Sequence, residues 1–241
     1  MNPVPQHRAL LGVDVIGSAQ LPGYLMNAIP ATISKLLDAA LRQSGIEPDA
    51  VLSLESPGDG ALLVLPSERL GAVLDAAARL DEITVEHNRW SKPEVRLRVA
   101  VHVGPVGESG FHRARVVHAR LLDAPEFKDL LKRCHDAAAE ETATTALIVS
   151  AEALDTAFGG DHTQVAKRSD FASLRVSHKE YRHEAWVRVP GFDPRSLAAF
   201  AETADAPRST ASVHNVVHGD MHGIQAGTVN GGLTFYGGRR P

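Results

Sequence analysis

The chain has one cysteine, Cys134, in 241 residues. An internal disulfide is therefore excluded, and a reducing compartment is expected. With no evident partner on a helical stretch, that thiol reads as an inert, buried group. There is no basic excess: the formal net charge is −4, which argues against general nucleic-acid binding. No apolar run approaches the roughly 18 residues of a membrane span, and the first residues lack a basic-then-apolar signal. A cytoplasmic protein with no membrane partner is the expectation. What is present is ordinary for a globular protein, with 44% apolar and 22% charged residues. The length suffices for one good core plus a small second region or tail.

Hydrophobic periodicity orders the first 190 residues. Residues 8–15 read as a buried strand. Ile29, Ile33, Leu36, Leu37 and Leu41 mark one face of a helix over about 25–44, with Pro30 near its regular start and Gly45 as its stop. Two short apolar runs, 50–54 and 61–65, flank Gly58-Asp59-Gly60, which suits a tight hairpin turn. A second helical face runs through 68–89. Residues 95–103 alternate cleanly as a strand that Gly104-Pro105 ends, and on it His102 reads as structural. A helical pattern from about Val116 to His135, broken near Pro125, precedes a short strand at 147–149 and a helix begun by Ser150. A second hairpin, 171–177 with 184–189, carries Trp186. The first six elements follow the βαββαβ plan of a ferredoxin-like sandwich, an α/β (α+β) fold with helices on one face of an antiparallel sheet.

Two aspartates stand out in this plan. Asp14 ends the first strand and Asp59 sits at the hairpin tip. Two carboxylates at strand ends supply the oxygen ligands that magnesium or manganese prefers, with phosphate and water completing the shell. The same residues also read simply as a strand terminator and a good turn.

The motifs resemble those of class III nucleotidyl cyclases of an actinobacterial type. The stretch Leu11-Gly-Val-Asp-Val-Ile-Gly17 is similar to their first metal-binding strand, and Ser56-Pro-Gly-Asp-Gly-Ala-Leu62 to their second metal site. Arg98-Val-Ala-Val-His-Val-Gly104 and Ala119-Arg-Leu-Leu-Asp-Ala-Pro125 resemble the following strand and helix, with His87-Asn88 preceding that strand. The likeness extends through Val176-Ser-His-Lys179 and Ala185-Trp-Val-Arg-Val-Pro190, so it covers about 8–190. It implies cyclisation of a nucleoside triphosphate with two magnesium or manganese ions per site. Asp14, Asp59 and a main-chain carbonyl at Val15 or Ile16 would hold the metals. Gly17, Ser18 and Gly58 would contact nucleotide, and Arg120 would face the phosphoryl group in the transition state. That arginine comes from the other subunit in the family, which implies a homodimer.

Two positions depart from the family pattern. Val116 stands where an asparagine is usual, and Glu55 where a base-selecting lysine is usual. Arg115 and His118 lie close enough in sequence to substitute. A working cyclase and a catalytically degenerate nucleotide-binding sensor both remain open.

Past residue 191 the composition changes. Residues 192–212, rich in Ala, Ser, Thr, Asp and Pro, read as a linker with a possible short helix near 197–202. Residues 213–238 then resemble the amyloid-signalling motif of bacterial and fungal immune proteins, related to the homotypic motif of necroptosis kinases; 239–241 are terminal. Asn215 and Gln225 suit amide ladders, Gly223, Gly227 and Gly232 suit turns between layers, and Phe235 suits a dry ridge. The resemblance implies a bacterial defence setting and an effector with a matching motif. A flexible Gly-rich tail is the plain alternative. His214, His218 and His222 recur every four residues, but the intervening glycines make a metal-binding helix improbable.

Overall fold

The computed structural model describes residues 4–56, 58–107, 112–137, 144–178 and 181–205. The assembly-motif residues of the tail, Asn215, Gly223, Gln225, Gly227, Gly232 and Phe235, lie outside them. The strands are β1 (Gln6–Val15), β2 (Ser53–Glu55), β3 (Gly60–Pro66), β4 (Leu97–Val106), β5 (Thr145–Ser150), β6 (Ala172–His178) and β7 (Tyr181–Arg188). They form one sheet in the order β2-β3-β1-β4-β5-β7-β6. Only β4 and β5 run parallel; the other neighbours are antiparallel.

The helices are α1 (Gly23–Met26), α2 (Ile29–Gln43), α3 (Leu70–Trp90), α4 (Arg113–Leu122), α5 (Pro125–Ala137), α6 (Ala151–Ala157) and α7 (Pro194–Asp205). Alternation along the strands sends side chains to two cores. Leu11, Val13, Leu63, Val99, Val101, Leu147 and Val149 face α2, α3 and α6. Ala100, Ile148, Leu174 and Val187 face the other way, against Leu121, Phe127, Leu130 and Leu197 of α4, α5 and α7. Helices therefore cover both faces, where the sequence pattern suggested one. The helical stretch expected over 116–135 is two helices. It begins at Arg113 and breaks at Asp123-Ala124, because Pro125 cannot continue the first and suits the first turn of the second.

The residues expected as linker begin with α7. Asp193 accepts N–H groups of Arg195 and Ser196 at 3.0 and 3.1 Å, capping the helix. Leu197 is fully buried on the second core, and Phe192 and Phe200 meet edge to face at 6.0 Å. Near the other end of the domain, Asn88 pairs with Val95 through both its amide groups, each bond 2.8 Å, and His87 bonds Pro93 carbonyl at 3.0 Å. The His-Asn pair thus clips the end of α3 to the approach of β4.

On the α3 side, Asp75 is buried and accepts three consecutive backbone N–H groups, from Gln164, Val165 and Ala166, at 2.7–2.9 Å. This carboxylate fixes the irregular segment between α6 and β6 by bonds that a side chain of another type would not supply. Among the described residues, no helix is long and apolar enough to cross a membrane.

Candidate functional site

The hairpin between β2 and β3 brings Asp59 to the end of β1. Gly58 has φ 63°, which an L side chain rarely adopts, and a Cβ at Gly60 would lie 2.7 Å from the Val13 carbonyl. Glycine at 60 lets β3 lie against β1 so that Asp14 pairs with Gly60 in the ladder. Val15 N–H then donates to the Asp59 carbonyl at 3.2 Å, and Ile16 N–H to the Arg96 carbonyl at 2.8 Å. Asp14 and Asp59 are thereby neighbours, each on a different element.

Neither carboxylate is bare. Asp14 lies opposite Arg98 in the β1–β4 register, and Arg98 donates to it through Nε at 3.0 Å and through Nη2. Ser18, on the turn after β1, donates to Asp59. Burial lifts the Asp14 carboxyl above its ordinary range; Arg98 opposes that shift, while Asp59 and Asp123 add to it. Burial, more than neighbouring charge, sets that shift. An oxygen-donor pair fits a hard divalent cation. Among the described residues no cluster of three or more His, Cys, Asp or Glu side chains has metal-binding spacing, so two carboxylates plus backbone carbonyls are the donors on offer.

Gly17, at φ 75°, and Ser18 form the turn that leaves β1 beside these carboxylates. Val15 is buried and Ile16 is partly covered, and their N–H groups are the ones bonded to the Asp59 and Arg96 carbonyls. Arg120 lies on α4, half-buried. The buried positions of that helix are Ala114, His118 and Leu121. Val116 and Arg120, four apart, share the opposite side by helical spacing.

The two proposed substitutes for the missing asparagine are otherwise engaged. His118 is buried at 4% exposure, and its Nε2–H donates to the Ala100 carbonyl at 3.2 Å. Arg115 pairs with Glu55 across from β2. Arg115 also lines a cleft of about 410 Å³ with Arg8, Ser53, Val64 and Val106.

Sequence reasoning missed Arg98 as a partner of Asp14. A usable signal existed, since an arginine at the start of a largely apolar strand calls for a counter-charge. It also missed that Glu55 and Arg115 form a pair, which nothing in their spacing announces.

No protein-family model matches the sequence, and no curated protein does. Solved structures do match. An adenylate/guanylate cyclase/hydrolase from Silicibacter pomeroyi is similar at 18% identity and TM-score 0.53, over 78% of this chain and 98% of its own. A bacterial light-regulated adenylyl cyclase matches at 12% identity and TM-score 0.53, over 84% of this chain and 99% of its own. The guanylyl cyclase Cya2 matches at 11% and 0.52, over 79% and 96%. The chain has the fold of class III nucleotidyl cyclase domains.

Proposed function

We propose that this chain is a signalling protein whose folded domain binds a nucleoside triphosphate and cyclises it. The observation that carries this reading is the pair Asp14 and Asp59, set side by side by the hairpin on a cyclase fold. Asp14, Asp59 and the carbonyl of Val15 or Ile16 would hold two magnesium or manganese ions. Such ions, when bound, supply Lewis-acid stabilisation of the phosphates and lower the pKa of the attacking hydroxyl.

The rest of the chemistry falls to the chain. Gly17 and Ser18 offer the turn after β1, and Gly58 the hairpin backbone, as contacts for the triphosphate. Arg98 donates to the Asp14 carboxylate; with cations held by that carboxylate, the guanidinium would be available to a neighbouring phosphate. The 3′-oxygen forms a bond to the α-phosphorus as the bond to the β-phosphate oxygen breaks. Pyrophosphate leaves with that oxygen, and the hydroxyl proton passes to solvent. Arg120 of a second copy would neutralise charge on the phosphoryl group, so the working unit is a homodimer.

A second reading has its own observation. Val116 has no hydrogen-bonding group, and Glu55 is tied to Arg115. In that reading the domain binds nucleotide without turning it over, and the tail recruits an effector by templated assembly. Turnover of each of the four ribonucleoside triphosphates with manganese, in wild type and Asp59→Ala, separates the two. A cyclic product lost in the variant supports the enzyme. Bound nucleotide with no product would sink it and leave the sensor.

A further inference from the structure

Helix α4 meets the sheet through an unusual seat. Gly12 of β1 and Ala100 of β4 stand directly opposite each other in the ladder. The His118 imidazole lies over this pair: a Cβ at Gly12 would fall 2.1 Å from its Cε1, and its Nε2–H donates to Ala100 carbonyl at 3.2 Å. The ring thus occupies the volume that any other residue at position 12 would fill. The next pair along the same two strands, two residues away on the same face, is Asp14 with Arg98. Two residues from His118 along α4 is Arg120.

We propose that His118 is a positioning residue: seated on Gly12 and bonded to Ala100, it fixes the depth and rotation of α4, and so the place from which Arg120 acts. The inference rests on the reading of Arg120 as a phosphoryl-facing group. Its physical basis is separate. An aliphatic side chain at 118 would be held by packing alone and would be free to rotate with the helix. The imidazole is keyed at two points, by contact with a strand that has no side chain there and by a directed bond to the neighbouring strand. Leu121, fully buried one turn on, packs without such direction.

The test uses the full chain with Gly12→Ala, His118→Ala, the double variant and His118→Gln, whose amide can still donate. Thermal unfolding first confirms that each is folded; if Gly12→Ala is not, His118→Ala and His118→Gln decide. Where wild type turns over, kcat of Gly12→Ala falls on the order of 10- to 100-fold with KM nearly unchanged. The double variant recovers only to the level of His118→Ala, because the added methyl then enters vacated space while the directed bond stays lost. His118→Gln stays nearer wild type than His118→Ala. A KM that rises in step with the fall in kcat, or a wild-type kcat in His118→Ala or in the double variant, overturns the proposal. If wild type has no turnover with any triphosphate, the enzyme reading fails. The seat is then judged by phenylglyoxal labelling of Arg120 relative to exposed Arg89, read by mass spectrometry. A change of about threefold or more in Gly12→Ala and in His118→Ala, with the double variant at the His118→Ala level, supports it; an unchanged ratio in His118→Ala overturns it.

Discussion

The two faces of the sheet solve different problems. Against α2, α3 and α6 lies one continuous aliphatic core, and its buried carboxylate, Asp75, is spent entirely on backbone N–H groups. Against α4 the face is built from Gly12, Ala100, Gly104 and Ala114, with two imidazoles filling the space and the Asp14–Arg98 pair at one end. Small residues bring a helix close to a sheet, and polar groups between them must be satisfied one by one. Both faces hold buried apolar cores, and the candidate chemistry lies on the α4 side.

Acid should break this contrast most strongly. Burial holds His102 and His118 neutral, with pKa values lowered to about 4 from 6.5. As pH falls below about 6.5 the unfolded chain takes up protons at both sites, while the folded chain does not until near pH 4. Their contribution is therefore fully present above that window and is lost on the way down through it. Each histidine accounts for up to about 3 kcal/mol. Urea midpoints measured from pH 7 to pH 4 should fall together with this window, and His118→Leu should flatten part of the slope.

A truncation on the aliphatic face should come next. Leu74, fully buried on α3, should cost about 2–5 kcal/mol as Leu74→Ala, read as a lower urea midpoint at unchanged slope. The variant should keep nucleotide binding wherever it remains folded. The smallest effect should have the opposite sign. Because the folded state favours the protonated form of Asp14, its charge opposes folding at neutral pH. Asp14→Asn keeps an acceptor for Arg98 and should raise the melting temperature by up to a few degrees, while abolishing manganese binding in calorimetry. An unchanged or lower melting temperature would mean that the ion pair with Arg98 outweighs burial.

Much of this was readable in the chain. Strand β1, helices α2 and α3, the glycine hairpin and β4 all carry strong local periodicity or turn chemistry, and each lies close to its expected place. Asp14 and Asp59 could be paired because each ends or joins a strand. The second face was much less legible. Helices α5 and α7 pack against residues far away in sequence, and their amphipathic patterns do not say which side of the sheet receives them. Arg98 and Asp14 are 84 residues apart, so their pairing depends on register, which no local pattern encodes. His118 sits between arginines in sequence, a context that suggests solvent. Only the vacancy at Gly12 explains its burial, and a glycine in a strand has several possible reasons.

Ser150 closes β5 and starts α6. Its hydroxyl oxygen accepts the Ala153 N–H at 3.2 Å, capping a helix of the aliphatic face, and it lies 2.8 Å from Nδ1 of His102 on the other. One oxygen atom is therefore a fastening common to both layers. Loosening either would strip a partner from a fully buried group in the other, so the layers are bound to melt as one cooperative unit. Amide exchange in α4 and in α6 should then report the same opening free energy.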